Sequence, residues 1–143
     1  NNVTISIPSD VVVANEFSQN AQAQTCLVSE VQPDQMILDV GEMAQQHYSD
    51  LIHTAEMILW NGPVGVFEIS QFAVGTEAVA NAVVNSTAYS VAGGGDTVAA
   101  LAQFGLKDQV SYVSTGGGAF LECIQGIELP AVKVLMEERP CVR

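Results

Sequence analysis

The chain has 143 residues, of which 48% are hydrophobic, which is enough for one domain with a substantial core. Sixteen acidic residues against four basic ones give it a formal net charge of −12 at pH 7. This balance argues against nucleic acid and anionic membranes as partners, because phosphate backbones are bound through clustered lysines and arginines, and it disfavours free ATP unless a metal ion or another segment supplies positive charge.

Short β-prone runs alternate with helical patterns along the chain. In the first half, we predict strands at residues 3–7, 10–14, 36–40 and 57–60, and helices at residues 43–55 and 72–84. In the second half, we predict strands at residues 88–91 and 111–114, and helices at residues 97–104, 119–124 and 130–137. Apolar strands separated by helices indicate an α/β fold with an open parallel sheet and helices on both faces, a Rossmann-like three-layer arrangement.

Two glycine triplets follow predicted strands and precede predicted helices. They are Gly93-Gly94-Gly95 and Gly116-Gly117-Gly118. A turn without side chains at the start of a helix presents backbone N–H groups at the positive end of the helix dipole, which favours phosphate. Neither triplet matches the Walker A motif or the G-x-G-x-x-G fingerprint. Ligands of such folds bind beyond the carboxyl ends of the strands, where Asn61, Asp96 and Gly116 are expected to cluster.

Asp96 and Thr97, directly after the first triplet, each have two interpretations. Asp96 is either the N-cap of the following helix or a magnesium ligand, since a carboxylate beside a phosphate needs a divalent cation between them. Thr97 is either a residue that starts the helix or a hydroxyl donor to a phosphate oxygen. The residues alone leave both pairs of alternatives open.

Other noticeable residues have structural interpretations. Trp60 is expected in the core, and Asp39 is expected to be a satisfied polar group at the end of a strand. His47 and His53 lie on the first long helix, away from the glycine turns, so we expect surface or core positions without a catalytic role. Glu68, taken alone, is expected to be solvated.

The cysteines and the apolar runs bear on where the protein is found. Cys26, Cys123 and Cys141 have no metal-binding spacing, which favours free thiols in a reducing cytosol. No apolar run approaches the roughly 20 residues that span a bilayer. The first residues also lack the basic start and apolar block of a signal peptide, so a cytoplasmic location is expected.

Five motifs, in order and with matching gaps, resemble the C-terminal part of the phosphoglycerate kinase family. They are residues 60–68, Phe72 with Gly75-Thr76, residues 93–100, residues 114–122 and residues 128–130. Residues 7–14 and 36–41 fit as well, so the resemblance covers essentially the whole chain. Five motifs in register are much more specific than any one of them.

The resemblance implies an enzyme that transfers a phosphoryl group between 1,3-bisphosphoglycerate and MgADP, giving 3-phosphoglycerate and MgATP in glycolysis. It implies that nucleotide contacts are made by Asn61, Pro63, Glu68, Gly93, Gly94, Gly95, Asp96 and Thr97. Of these, Asn61 and Pro63 would line the cleft, Glu68 would accept hydrogen bonds from the ribose, and Asp96 would hold Mg²⁺. Gly116, Gly117 and Gly118 would present N–H groups to the phosphoryl group in transfer, a catalytic role.

The match also departs from the family at two places and lacks two parts. Residues 42–44 replace a stretch that usually holds a proline and then a threonine or serine, and Ile127 stands where a lysine is common. The N-terminal lobe, which binds the sugar phosphate through arginines and histidines, has no counterpart. A lysine-bearing segment upstream in the nucleotide lobe is missing too.

Residues 1–143 are therefore expected to form the C-terminal part of the nucleotide-binding lobe. This fragment is expected to be inactive alone and to bind nucleotide weakly and only with magnesium. It is also expected either to be marginally stable or to self-associate through an apolar patch, although the parent enzyme would be a monomer. The alternative is a non-catalytic nucleotide-binding or scaffolding module with degenerate chemistry. A nicotinamide-dependent oxidoreductase is disfavoured by the failed fingerprints.

Overall fold

The computed structural model describes residues 3–136 and contains two small sheets flanked by helices. The strands are β1 (Asp10–Ala14), β2 (Gln24–Leu27), β3 (Met36–Val40), β4 (Met57–Asn61), β5 (Tyr89–Gly93) and β6 (Tyr112–Val113). The α-helices are α1 (Glu42–His53), α2 (Val74–Asn85), α3 (Gly95–Gln103), α4 (Gly118–Ile124) and α5 (Pro130–Met136). Short 3-10 turns occupy Val28–Glu30, Ser70–Phe72 and Lys107–Gln109.

The first sheet is antiparallel, with the order β2-β1-β3. Its central strand, β1, contains three consecutive valines, of which Val11 and Val13 are fully buried. Such a strand forms readily where both of its edges find a partner. Strand β3, with Leu38 and Val40 buried, leads directly into α1.

The second sheet is parallel, with the order β4-β5-β6. The three strands lie side by side in the order in which they occur in the chain, and connections between parallel strands are right-handed. The two connecting helices, α2 and α3, therefore lie on the same face of the sheet. The side chains between this face and the helices form the main core: Trp60, Val79, Ala80, Val83, Ala92 and Leu101, with Tyr48 and Ile52 of α1 packed against them.

The opposite face of the parallel sheet is largely exposed to solvent. Met57, Leu59, Tyr89, Val91 and Tyr112 lie on it, since their registers pair Met57 with Tyr89, and Val91 with both Leu59 and Tyr112. Met57 is 71% exposed, and Tyr89 and Tyr112 are each 53% exposed. We call these five residues the open face. Within residues 3–136, a helix approaches this face at its carboxyl end, where Phe120 of α4 packs against Gly93.

Two buried carboxylates hold the starts of two helices. Asp10 of β1 accepts hydrogen bonds from the amides of Met43 and Ala44 in the first turn of α1, at 3.1 and 2.8 Å. Asp39 of β3 accepts one from the amide of Gly75 at the start of α2, at 2.7 Å. A negative charge near a helix N-terminus is stabilised by the unpaired amides and the helix dipole. The antiparallel sheet is thereby connected to α1 and α2.

The α/β class and the parallel sheet predicted from sequence are confirmed; α2 and α3 cover one face of that sheet, and α4 reaches the other face at Gly93. The antiparallel sheet was not predicted. Strand β1 pairs with both β2 and β3, and none of the three joins the parallel sheet. The predicted strand at residues 3–7 is wrong: this segment is irregular, with Val3, Ile5 and Ile7 exposed. The remaining predicted elements occur with ends shifted by at most two residues, and Glu137 lies outside the described residues.

The structural interpretations also hold for the side chains that the structure describes. Trp60 is buried in the core, and His47 and His53 are exposed on α1. Cys26 and Cys123 are free thiols, while Cys141 lies outside residues 3–136. No helix within residues 3–136 has the length and hydropathy needed to cross a membrane.

Candidate functional site at the carboxyl ends of the parallel strands

Strands β4 and β5 end side by side, so the segments that follow them start from one edge of the sheet. Asn61, the last residue of β4, is in register with Gly93, the last residue of β5. Gly94 has a φ of +92°, and a Cβ at this position would lie 2.6 Å from Asn61 Oδ1. A side chain at residue 94 would therefore be both strained and in collision with Asn61. Of the predicted cluster of Asn61, Asp96 and Gly116, this contact places Asn61 at the first glycine turn.

The segment from Asn61 to Glu68, which we call the 61–68 loop, is fixed near its start. The amide of Gly62 donates to Thr97 Oγ1 at 2.6 Å, and Trp60 Nε1 donates to the carbonyl oxygen of Gly62 at 2.8 Å. Thr97 is fully buried. Its side-chain oxygen therefore accepts the loop amide, and this buried residue supports the loop from beneath the first glycine turn.

The second half of the loop is fixed by other contacts. The amide of Gly65 donates to Thr76 Oγ1 at 3.1 Å, and the amide of Val66 donates to the carbonyl oxygen of Leu38 at 2.8 Å. Phe67 is buried, and its carbonyl oxygen accepts a hydrogen bond from Gln103 Nε2 at 2.9 Å. Glu68, directly after this anchor, has an exposed side chain, as the sequence suggested. Pro63 is half-buried between the fixed points.

Asp39 lies behind this loop and is 1% exposed. Besides Gly75, it accepts a hydrogen bond from the amide of Val40 at 2.8 Å. Burial raises the pKa of Asp39, and the hydrogen bonds from the amides of Gly75 and Val40 partly oppose this. The expectation that Asp39 is a satisfied polar group is therefore confirmed.

The first glycine turn leads into α3, whose N-cap is Gly94. Asp96 lies in the first turn of α3 with an exposed side chain, so it is not the N-cap, and the capping interpretation of Asp96 is wrong. The reason is that α3 begins at Gly95, two residues before the predicted start, so that Gly94 takes the N-cap position. The carboxylate remains at the positive end of the helix, pointing to solvent.

The second glycine turn follows the short strand β6. Val113 pairs with Ala92, and the next residue, Ser114, continues this alignment because its amide donates to the carbonyl oxygen of Ala92 at 2.8 Å. Ser114 is buried, and its hydroxyl oxygen accepts a hydrogen bond from the amide of Gly116 at 3.3 Å. Gly117 has a φ of +53° and is the N-cap of α4.

One cavity of about 340 Å³ lies between the two glycine turns. It is lined by Gly94, Gly95, Val98, Lys107, Val113, Ser114, Thr115 and Gly117. Lys107 is the cation that sequence reasoning missed at this site. It belongs to the 3-10 turn between α3 and β6, and only the return of the chain from α3 to the sheet brings it to the turns. Its position between two glycine motifs was the available signal.

The donor set for a metal ion is small. Among residues 3–136, no three His, Cys, Asp or Glu side chains come together as a metal site. Asp96 therefore offers a single exposed carboxylate beside amides that favour phosphate. This arrangement fits Mg²⁺, which is commonly held by one or two carboxylates together with substrate phosphates and water. It does not fit a structural metal, which needs a full set of protein ligands.

Comparisons with known proteins are consistent along nearly the whole chain. The family model described as phosphoglycerate kinase matches residues 1–127. A phosphoglycerate kinase of Francisella tularensis subsp. tularensis is 57% identical over 136 residues, which cover 95% of this chain and 35% of the relative. The corresponding protein of Francisella tularensis subsp. novicida is 55% identical with the same coverage. The chain thus spans about a third of the length of these relatives.

Solved structures agree with this result. The phosphoglycerate kinase of Coxiella burnetii superimposes with a TM-score of 0.89 at 51% identity, over 95% of this chain and 34% of that one. The phosphoglycerate kinase of Pyrococcus horikoshii OT3 gives a TM-score of 0.76 at 32% identity, over 90% of this chain and 31% of that one.

Proposed function

Because the chain belongs to the phosphoglycerate kinase family, we propose that it carries part of the nucleotide site of an enzyme that transfers a phosphoryl group between 1,3-bisphosphoglycerate and MgADP. The products would be 3-phosphoglycerate and MgATP, a step of glycolysis. One observation carries this proposal: both glycine turns line a single cavity at the carboxyl edge of the parallel sheet. In open α/β sheets, ligands bind at this edge.

In this proposal, the 61–68 loop and the first glycine turn bind the nucleotide. Asn61 and Pro63 line the cleft, and the exposed carboxylate of Glu68 accepts hydrogen bonds from the ribose hydroxyls. Gly93, Gly94 and Gly95 allow the phosphates to approach the backbone. The amides of the exposed residues Gly95 and Asp96 at the start of α3 then face the phosphates, and the buried Thr97 holds the 61–68 loop beside them.

Asp96 is the proposed magnesium ligand of the chain. Bound Mg²⁺ neutralises charge on the phosphate oxygens, which would otherwise be repelled by a chain of net charge −12. The exposure of Asp96 supports this role, since its carboxylate is not used as a helix cap. Lys107, on the wall of the cavity between the two glycine turns, adds a positive charge that these turns lack.

The second glycine turn has the proposed catalytic part. Gly116, Gly117 and Gly118 form this turn: the backbone N–H groups of Gly117 and Gly118 face the phosphoryl group as charge develops on its equatorial oxygens, and that of Gly116 fixes the turn by donating to Ser114 Oγ. Catalysis of phosphoryl transfer consists mostly of positioning and of stabilising this charge, so backbone amides in a fixed turn are sufficient for the role.

We further propose that residues 1–143 are the C-terminal part of the nucleotide-binding lobe and that the 3-phosphoglycerate site belongs to an N-terminal lobe outside this chain. The coverage of about a third of the relatives supports this division. On this basis the isolated chain binds MgADP weakly and does not transfer phosphate. The whole enzyme would be a cytoplasmic monomer.

The proposal is tested by titration calorimetry of the 143-residue chain with ADP in the presence and absence of Mg²⁺. ADP is expected to bind weakly and only when Mg²⁺ is present. Tight binding of ADP without Mg²⁺ would contradict the role of Asp96. A coupled assay for phosphoryl transfer to 3-phosphoglycerate, with chain free of host kinase, should give no turnover. Measurable turnover would overturn the assignment of a partial active site.

A second candidate is a non-catalytic nucleotide-binding or scaffolding module. The exposed Asp96 and Glu68 argue against it, since a scaffold does not require carboxylates at these positions. The candidates differ in one measurement: a scaffold that has lost the chemistry should bind ADP equally well with and without Mg²⁺.

A further inference from the structure

The 61–68 loop is supported from behind by buried polar side chains. Asp39 accepts hydrogen bonds from the amides of Gly75 and Val40, at 2.7 and 2.8 Å, and so fixes the start of α2. The next residue of that helix, Thr76, is fully buried, and its hydroxyl oxygen accepts a hydrogen bond from the amide of Gly65 at 3.1 Å. A continuous series of contacts therefore runs from β3 through the start of α2 to the loop.

The fit between the loop and this support is tight. A Cβ on Gly65 would overlap the carboxylate of Asp39 and would lie 2.5 Å from the carbonyl oxygen of Phe72. The backbone of Gly65 is thus in direct contact with Asp39, without an intervening side chain. We call Asp39, Thr76 and their contacts to Gly65 and Gly75 the clasp.

We propose that Asp39 and Thr76 are positioning residues, which hold the 61–68 loop in the shape that presents Asn61, Pro63 and Glu68 to a nucleotide. This inference rests on the proposed function of the loop. Neither positioning side chain reaches a ligand itself, since Thr76 is fully buried and Asp39 is 1% exposed. Their effect on the nucleotide passes through the backbone of Gly65.

The chemistry of Thr76 allows a sharp test. Thr76→Val keeps the shape of the side chain but removes the acceptor, which leaves the amide of Gly65 without its partner. Thr76→Ser keeps the acceptor and loses only a methyl group. Thr87→Val makes the same change at an exposed threonine between α2 and β5, and so serves as the matched control.

The experiment measures amide hydrogen exchange of the loop by NMR in the four proteins, together with their affinity for MgADP. A neutral hydrogen bond contributes about 1 kcal/mol, so Thr76→Val should speed exchange at Gly65 and its loop neighbours about fivefold and weaken MgADP by a similar factor. Exchange at Val11 and Val13, in the buried strand β1, should not change. Thr76→Ser should restore the wild-type values, and Thr87→Val should resemble the wild type.

The outcomes separate this inference from the proposed function. Equal loop exchange in Thr76→Val and Thr87→Val overturns the clasp, whatever the nucleotide does. Faster loop exchange with unchanged MgADP affinity also overturns it, because the loop shape would then not matter for binding. If the wild-type chain binds no MgADP, the proposed function fails, and loop exchange alone decides whether the clasp holds the loop.

Discussion

The amide nitrogen of Gly62 lies 2.6 Å from the hydroxyl oxygen of Thr97, which follows it by 35 positions in the chain. This hydrogen bond joins the loop after β4 to the helix after β5, so the two segments proposed to bind nucleotide form one unit. Substitution of Thr97 would therefore alter both the loop and the phosphate contacts. Asp96, which is exposed, allows a cleaner test of the site.

Asp96→Asn removes a charge but preserves size, and it should weaken binding of MgADP by about 1.5–3 kcal/mol, the range for interactions with charged groups. Binding of ADP without Mg²⁺ should not weaken, because Asp96 repels the phosphates directly. Calorimetry with and without Mg²⁺ measures both. Asp50→Asn, on the exposed side of α1, is the control and should bind as the wild type does. Equal losses with and without Mg²⁺ would argue against metal binding by Asp96.

Lys107→Met should weaken MgADP by about 0.5–1 kcal/mol, because an exposed charge facing an anion contributes little more than this in water. The loss should be greatest at low ionic strength and should fade as salt is added. Lys133→Met is the matched control. Lys133 lies on α5, where its ammonium group pairs with the carboxylate of Glu128 at 3.0 Å and does not line the cavity between the glycine turns. Affinity measured across a series of salt concentrations distinguishes the two variants, and equal behaviour of both would remove Lys107 from the site.

The pH dependence of stability should report on Asp39. Burial raises its pKa above the ordinary value of 3.8, so the folded state binds this proton more tightly than the unfolded state. The contribution of Asp39 to the free energy of unfolding therefore falls as pH rises from 3.8 to the folded pKa, and it stays constant above that.

Since asparagine does not ionise, the advantage of the wild type over Asp39→Asn should shrink across this pH interval. Urea denaturation of both proteins at several pH values measures the difference. Asp108→Asn, at an exposed position, should follow the wild-type curve. If the stability advantage of the wild type over Asp39→Asn grew with pH, the hydrogen bonds to Asp39 would outweigh burial in setting its pKa.

The open face should cause self-association of the isolated chain. Met57, Tyr89 and Tyr112 lie side by side on it and are each more than half exposed, and contiguous apolar surface of this kind promotes association. Sedimentation velocity should show a concentration-dependent increase in mass, which Leu59→Glu should reduce. Met43→Glu, at an exposed apolar residue of α1, is the control. A chain that stays monomeric at all concentrations would contradict the prediction.

Local signals were sufficient for the parts of the site that depend on local structure. Both strand-turn-helix units around Gly94 and Gly117 were predicted, because a glycine turn after an apolar run needs no distant partner. Strand β2 was missed since its residues Gln24–Leu27 are mostly polar and exposed, and only pairing with β1 makes them a strand. Residues 3–7 alternate as a strand does, but they have no neighbour in either sheet.

The contacts that hold the site together are non-local and could not be predicted. Asp39 and Gly75 are 36 positions apart, and no sequence pattern indicates their hydrogen bond. The sequence could identify Asp39 as a polar residue in an apolar strand, which requires some partner. Which partner it has depends on the placement of α2 over the end of β3. The same is true of Lys107, whose cavity exists only after α3 returns the chain to the sheet.

Strand β6 pairs with β5 at only two positions, and a reciprocal pair of serines lies at its start. The amide of Ser90 donates to Ser111 Oγ at 3.1 Å, and the amide of Ser111 donates to Ser90 Oγ at 3.0 Å. Because serine hydroxyls do not gain or lose charge in the pH range of folded proteins, this alignment is insensitive to acid and to salt. The second glycine turn therefore keeps its place while the acidic surface around it titrates. Any pH dependence of ligand binding at that turn would then come from ionisable groups of the ligand or the protein and not from the loss of these two hydrogen bonds.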